Sequence, residues 1–179
     1  MTVEPTTRDA MLAAIPGLRA FAMSLCGNVD RADDLVQEAL TRALANIDSF
    51  RPDSNMSAWL FTILRNHFRS EYRKRRREVE DSDGWYAARL TSQPEQELHL
   101  EYEELRAAIA RLPADQREAL LLVGASGFSC GEAAEICGCA VGTIKSRVSR
   151  ARKRLAAMLS AQGAPKFGAD DRMHGIFAG

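Results

Sequence analysis

The sequence lacks most of the features that mark membrane and secreted proteins. No run of eighteen apolar residues occurs, and the N-terminal segment has no basic start, apolar middle and cleavage site of a signal peptide. Its four cysteines are too few and too unevenly spaced for a disulfide scaffold. We therefore predict a cytoplasmic protein with free thiols and without membrane insertion.

Catalytic and cofactor motifs are also missing. The sequence has no Gly-rich phosphate-binding loop and no HExxH motif, and its three histidines are far apart. Cys130, Cys137 and Cys139 offer three ligands, whereas structural zinc takes four. Cys137 falls on an apolar helix face and is expected to pack there, while redox sensing by Cys130 stays an open alternative. We predict no enzyme activity, no metal, no other cofactor and no small-molecule substrate.

The formal net charge of zero hides blocks of opposite sign. Residues 65–77 and 145–154 each sum to +6, and residues 78–104 between them sum to −8. Two basic blocks suggest two nucleic-acid contacts, although a charged run is more often a solvated helix face. We hypothesise that the acidic block screens the basic blocks of the free protein.

Apolar residues recur at helical spacing almost throughout, and alternating β-branched runs are absent. The pattern predicts an all-α protein. In CGNVD, Gly and Asn end one helix and Asp30 caps the next, and Pro113 separates two later helices. The predicted helices cover residues 8–26, 30–48, 54–76, 95–111, 114–124, 129–137 and 141–160.

The apolar periodicity stops in VEDSDGWYAARLTSQPEQ, which is rich in acids, Ser, Gly and Pro. This segment divides the chain into two small helical domains joined by a flexible acidic linker. The predicted parts are a first domain over 8–78, a linker over 79–96, a second domain over 97–160 and a flexible tail over 161–179.

The second domain contains the pattern of a helix-turn-helix. Ser129 and Glu132 form a capping box that starts a short helix, and Gly138 permits the turn that follows it. The next helix has an apolar stripe, and its basic residues lie on the remaining faces. A helix of this kind enters a major groove and reads base edges. The stripe consists of Ile144, Val148, Ala151 and Leu155.

The first domain ends in NMSAWLFTILRNHFRSEYRKRRR, where aromatic and basic residues interleave. Exposed aromatics beside Lys and Arg suit unstacked single-stranded bases. The alternative is that Trp59, Phe61 and Phe68 are core residues. Upstream, an acidic helix face suits a basic protein partner. The apolar side of that helix consists of Leu35, Ala39, Leu40, Ala43 and Leu44.

Three segments together resemble the extracytoplasmic-function (group IV) bacterial sigma factors. DDLVQEALTRALANIDSF resembles region 2.2, NMSAWLFTILRNHFRSEYRKR regions 2.3 and 2.4, and LPADQREALLLVGASGFSCGEAAEICGCAVGTIKSRVSRARKRL region 4. The resemblance covers about residues 12–160 and implies a sigma region 2 helical bundle and a sigma region 4 helix-turn-helix. It implies binding to core RNA polymerase and promoter DNA. The sequence also resembles the alphaproteobacterial general-stress group, whose members are held inactive by an anti-sigma factor.

The resemblance also assigns roles to individual residues. Asp34, Gln37 and Glu38 would face the clamp helices of the polymerase. At the minus-10 element, Phe50 and Asn66 would hold a flipped base, with Arg65, Arg69, Arg73 and Lys74 supporting the strand. At the minus-35 element, Lys145, Ser146, Ser149 and Arg150 would read bases, while Thr143, Arg147, Lys153 and Arg154 complete the contact surface.

Some of these roles stay open. For Arg147 and Arg154, a contact with phosphate or a role in stabilising the fold is a better assignment than a contact with a base. Ser149 stands where some relatives carry a larger side chain, so their minus-35 specificity does not transfer. Two other functions compete with the sigma factor: a sigma-like protein that sequesters an anti-sigma factor, and a helix-turn-helix regulator that uses only residues 98–160. The second leaves the whole first domain without a role.

Overall fold

Every regular element that the structure describes is helical. The computed structural model describes residues 5–79 and 97–161. The all-α prediction is confirmed, and the predicted linker and tail lie almost wholly outside the described residues. The helices are α1 (Pro5–Cys26), α2 (Val29–Ala45), α3 (Met56–Val79), α4 (Glu97–Ala110), α5 (Ala114–Gly124), α6 (Cys130–Cys137) and α7 (Val141–Ala161), with a short 3-10 helix at Ile47–Ser49.

The chain divides into two compact units. In the first, α1, α2 and α3 pack against one another, and large side chains of α1 and α3 form the core. Leu18, Phe21, Leu60 and Phe61 are at most 2% exposed, and the rings of Phe21 and Phe61 are 5.1 Å apart. Phe61 is therefore a core residue, whereas Trp59 is only half-buried.

Helix α1 has a further property that its sequence alone leaves ambiguous. By length and composition, Thr6–Cys26 is apolar enough to cross a membrane, with a mean hydropathy of 1.3 in its most apolar window. The core helix of a soluble protein passes the same test. Its buried side chains, which include Met11, Ala14 and Leu18, lie on the side that packs against α2 and α3.

Asparagines set both ends of α2. The side-chain oxygen of Asn28 accepts a hydrogen bond from the backbone N–H of Arg31 at 2.9 Å, which caps the first turn. The prediction that Asp30 caps this helix is therefore wrong, because Asp30 lies inside the first turn. The glycine before the cap, Gly27, has a φ of 68°, a left-handed conformation that glycine adopts readily.

At the other end, α2 stops at Ala45, before the predicted residue 48. Asn46 donates from Nδ2 to the carbonyl oxygen of Arg42 at 2.8 Å. Its backbone N–H also donates to the carbonyl oxygens of Arg42 and Ala43 in the last turn of α2. This side-chain hydrogen bond satisfies a carbonyl that the ended helix leaves open. Leu44, predicted on the apolar side, is 46% exposed and lies outside the core.

An apolar stripe along α7 builds the core of the second unit. Its four members are at most 8% exposed, and α7 packs against α5 and α4. The predicted stripe is thus confirmed. Because these positions recur every three or four residues, one side of α7 belongs to the core and the others face outward. The four are Ile144, Val148, Ala151 and Leu155.

The predicted capping box and turn are also present. The backbone N–H of Ser129 donates to Glu132 Oε2 at 2.9 Å, and the N–H of Glu132 donates to Ser129 Oγ at 3.2 Å. Cys137 is buried at the end of α6, and Gly138 turns the chain with a φ of 60°. The helix-turn-helix is therefore formed by α6, this turn and α7.

Candidate nucleic-acid interfaces

The outward side of α7 carries a row of basic and hydroxyl side chains, here called the α7 basic face. Because the opposite side of the helix is anchored in the core, this row has a fixed orientation, as a helix that docks in a major groove requires. Of the eight residues assigned to the minus-35 element, six are exposed, and Thr143 and Arg147 are partly buried. The exposed six are Lys145, Ser146, Ser149, Arg150, Lys153 and Arg154.

Arg147 is engaged with the rest of its own unit. Its Nε lies 3.2 Å from Oδ2 of Asp115 on α5, and its Nη1 lies 3.9 Å from Sγ of Cys139 in the preceding turn. The side chain is 20% exposed. These contacts tie α7 to α5 and favour the fold over DNA as the role of Arg147.

Arg150 instead follows the surface of α7. Its guanidinium donates to the backbone oxygen of Ser146 at 3.2 Å and to Ser146 Oγ at 3.0 Å. Both residues are exposed. The arginine therefore stays on the outward side of the helix, where a DNA base edge can meet it.

A shallow groove lies beside α3 in the first unit, here called the α3 groove. Its volume is about 400 Å³, and both α2 and α3 contribute to its walls. Helix α3 begins after Asn55, whose side-chain oxygen accepts from the N–H of Ala58 at 3.2 Å. The groove is lined by Arg42, Asn46, Ser49, Trp59, Ile63, Asn66 and His67.

The α3 groove contains one of the two residues that the resemblance assigned to a flipped base. Asn66 is exposed and lines the groove, and Trp59 forms part of its wall. Phe50 does not line it, but its ring packs against Trp59 with the centroids 5.2 Å apart. An aromatic wall beside an amide suits a base, which needs both a stacking surface and a hydrogen-bonding partner.

The basic residues assigned to the minus-10 strand fall into two groups. Arg69, Arg73 and Lys74 are exposed along α3 beyond the groove. Arg65 is only 4% exposed and is the most buried of the four. The side chains of the exposed three are accessible to solvent, whereas Arg65 belongs with the buried side chains.

Sequence reasoning missed the part of the groove that comes from the end of α2. Arg42, Asn46 and Ser49 line it, but they precede α3 and belong to no basic or aromatic block. The sequence carried one signal here, because an Asn just after the last apolar-periodic residue predicts the end of a helix, as Asn46 does for α2. His67 of α3 also lines the groove.

One ion pair and one cation–π contact join α2 to α3. Glu71 of α3 lies 3.9 Å from Nη2 of Arg31 and 3.6 Å from Nε2 of His67. The guanidinium of Arg31 also stands over the ring of Phe68, 5.9 Å from its centroid. This cluster joins the two helices that supply the groove walls.

On the acidic face of α2, some side chains pair with arginines of the same unit and others are exposed to solvent. Asp34 and Gln37 are exposed, whereas Glu38 Oε1 accepts from Arg42 Nε at 2.7 Å. This hydrogen bond is the main reason that the pKa of the Glu38 carboxyl is lowered, with a smaller contribution from nearby His67. Asp33 forms a two-bond pair with Arg19 of α1. The residues assigned to polymerase therefore include two side chains that point to solvent.

Cysteines and metal ligands give no sign of a further site. Within residues 5–79 and 97–161, no three His, Cys, Asp or Glu side chains form a group that could hold a metal ion. All four cysteines are free thiols. Burial raises the pKa of the Cys26 thiol, which disfavours the reactive thiolate.

Known proteins match both units of the chain. The Sigma-70 region 2 family matches residues 12–78, and the Sigma-70, region 4 family matches residues 102–155. Over 179 residues the chain is 68% identical to the ECF RNA polymerase sigma factor EcfG of Rhodopseudomonas palustris, covering 100% of this chain and 99% of that protein. The chain belongs to the extracytoplasmic-function sigma factors. It is thus a member of a family of transcription factors and not of a catalytic enzyme family.

Solved structures agree with this identification. The sigma factor RpoE of Bartonella quintana, solved with the anti-sigma factor NepR, is 54% identical to this sigma factor, with a TM-score of 0.77 and coverage of 86% of this chain and 96% of that one. The sigma factor CnrH, solved with the cytosolic domain of CnrY, is 28% identical, with a TM-score of 0.58 and coverage of 83% and 82%.

Proposed function

We propose that this sigma factor brings core RNA polymerase to promoters by using a separate surface for each DNA element. The α3 groove takes a base of the opened minus-10 strand, and the α7 basic face reads the duplex minus-35 element. One observation carries the proposal: a single chain holds both an aromatic groove with an exposed amide and a rigid basic helix face. Neither surface alone distinguishes a sigma factor from another DNA-binding protein.

The α3 groove suits a base that has left the helical stack. Trp59 offers a ring face, and Asn66 offers an amide that can both donate and accept hydrogen bonds. Arg69, Arg73 and Lys74 continue along α3 and attract the phosphates of the same strand. Arg42 lines the groove as well, with its guanidinium paired to Glu38.

The α7 basic face suits a base-paired element. A helix about 10–12 Å across fills the major groove. Lys145, Ser146, Ser149 and Arg150 lie in the N-terminal half of α7, where recognition helices contact base edges. Lys153 and Arg154 lie further along and neutralise phosphates.

Contact with polymerase is assigned to the acidic face of α2. Asp34 and Gln37 are exposed there, and the carboxylate of Glu38, whose pKa is lowered by its hydrogen bond from Arg42, lies beside them. A basic partner surface would meet complementary charge at this face. We assign no catalytic step to the sigma factor itself. We place it in the cytoplasm, together with its two partners, core RNA polymerase and promoter DNA.

Regulation by an anti-sigma factor follows from the relatives. The similar RpoE was solved with NepR, and CnrH with part of CnrY. We assign a NepR-like inhibitor to this sigma factor and stress-response genes to its promoters. The domain limits of this proposal are residues 8–78 for region 2, 79–96 for the linker, 97–160 for region 4 and 161–179 for the tail.

Reconstituted transcription tests the proposal. The full chain is mixed with bacterial core polymerase and a promoter library that is randomised at both elements, and the transcripts are sequenced. We expect enrichment at two separate elements and loss of transcripts when a NepR-type protein is added. Failure to bind core polymerase would contradict the proposal, and binding with enrichment at only the minus-35 element would favour the stand-alone regulator.

A further inference from the structure

Arg150 is held on the α7 basic face by two hydrogen bonds to a single residue. Its Nε–H donates to the backbone oxygen of Ser146, and its Nη2–H donates to Ser146 Oγ. The same hydroxyl donates to the backbone oxygen of Thr143 at 2.9 Å. Ser146 is thus the middle of a hydrogen-bonded chain that runs along the exposed side of α7 from Thr143 to Arg150.

The donors that remain on Arg150 are the ones that suit a base. A guanidinium has five N–H groups in a planar fork. Ser146 occupies the edge formed by Nε and Nη2, and the edge formed by Nη1 and Nη2 keeps two parallel N–H groups for an outside acceptor. Such a pair matches O6 and N7 of guanine, the commonest specific contact in the major groove.

Holding the arginine before DNA arrives has an energetic consequence. An unconstrained arginine loses much of its rotamer freedom when it binds a base, and this loss weakens binding. Two bonds to Ser146 restrict the guanidinium in advance. They also engage the Ser146 hydroxyl, whose single proton is donated to the backbone oxygen of Thr143 and one of whose two lone pairs accepts from Arg150.

We propose that Ser146 is a positioning residue, which orients Arg150 toward a guanine of the minus-35 element and reads no base itself. This role differs from that of a base reader, which the family resemblance gives to Ser146. It rests on the minus-35 function proposed for α7. Arg147 cannot play the part of Arg150, because Asp115 and Cys139 engage its guanidinium.

Base preference in the full holoenzyme tests this role. The full chain with core polymerase transcribes a library randomised at the minus-35 element, and base ratios are compared at each position for Arg150→Ala, Ser146→Ala, Ser146→Thr and the double alanine variant. We expect Arg150→Ala to remove the preference at one position. Ser146→Ala should lower the preference at that same position by about three- to tenfold, the range of one hydrogen bond.

Two comparisons make the role specific. Ser146→Thr keeps a hydroxyl in the helix and should restore the preference. Ser146→Ala added to Arg150→Ala should change nothing further. Ser160→Ala, which removes an exposed hydroxyl near the end of α7, is the matched control and should leave the preference unchanged.

Other results would overturn the assignment. A changed preference at a different position after Ser146→Ala would make Ser146 a base reader, and a further loss in the double variant would show that the two residues act independently. If the unaltered protein shows no minus-35 preference at all, the proposed function fails rather than this refinement alone. Helix content and thermal unfolding of each variant show that any loss is not due to misfolding.

Discussion

The α3 groove and the α7 basic face solve two different recognition problems. The groove has walls from two helices, with a ring and an amide, and the exposed cations of α3 lie beyond it. The α7 face is a single convex helix side on which cations and hydroxyls stand directly. A concave aromatic surface suits an unstacked base, whereas a convex polar helix suits the edges of paired bases.

The two surfaces also differ in what supports them. Helices α2 and α3, which both contribute to the groove, are joined by the contacts of Arg31 with Glu71 and Phe68. The α7 face depends on its own apolar stripe and on the Arg147–Asp115 pair. The comparison therefore predicts that substitutions on one surface should impair one DNA element and spare the other.

Removing the aromatic wall is expected to have the largest effect. Trp59→Ala should weaken holoenzyme binding to a single-stranded minus-10 oligonucleotide by about 1–3 kcal/mol, the range for one base stacked on a ring. Fluorescence anisotropy measures this loss. Trp59→Phe keeps a ring and is the matched control; an equal loss from both variants would contradict a stacking role.

Arg150→Ala should remove the strongest base contact of the α7 face. We expect a loss of about 1–3 kcal/mol at the base pair that Arg150 reads, measured as competition between minus-35 duplexes that differ at one position. Binding to the single-stranded minus-10 oligonucleotide should stay unchanged. A uniform loss across all duplexes would reassign Arg150 to phosphates.

Ser129→Ala tests the support beneath the α7 face. Loss of the capping hydroxyl should lower the free energy of unfolding by about 1 kcal/mol, because the N–H of Glu132 loses its partner. Chemical denaturation measures this change. Ser129→Thr preserves the cap, and a Thr variant as unstable as the Ala variant would show that the hydroxyl is not the cause.

Arg154→Ala is expected to have the smallest effect. Loss of one phosphate contact should reduce the slope of log affinity against log salt by about 0.9 and leave base preference intact. Titrations of a minus-35 duplex at several salt concentrations measure the slope. Arg8→Ala in α1, an exposed arginine remote in sequence, is the control; a changed base preference for Arg154→Ala would contradict the phosphate assignment.

Local rules predicted the second unit well. The capping box at Ser129, the turn at Gly138 and the stripe from Ile144 to Leu155 each depend on residues close together in sequence, and all are present in the structure. Periodicity also predicted that the remaining faces of α7 carry the charges. For Arg147 the sequence left a role in the fold open but did not indicate its partner, because Asp115 lies on another helix.

Tertiary proximity accounts for most of what the sequence did not reveal in the first unit. The groove combines Arg42 and Asn46 of one helical segment with Trp59 and Asn66 of another, a combination that no single window of sequence contains. Arg65 illustrates the reverse case, since a basic block predicted a DNA contact for a side chain that is 4% exposed. Its role at the minus-10 strand stays a prediction.

One binding experiment tests most directly whether the α3 groove and the α7 basic face each bind a different DNA element. Holoenzymes carrying Asn66→Ala or Arg150→Ala are titrated with two probes, a single-stranded minus-10 oligonucleotide and a minus-35 duplex. The account predicts that Asn66→Ala loses affinity only for the single strand and Arg150→Ala only for the duplex. If either variant loses affinity for both probes, or if Asn66→Ala weakens only duplex binding and Arg150→Ala only single-strand binding, the account is contradicted.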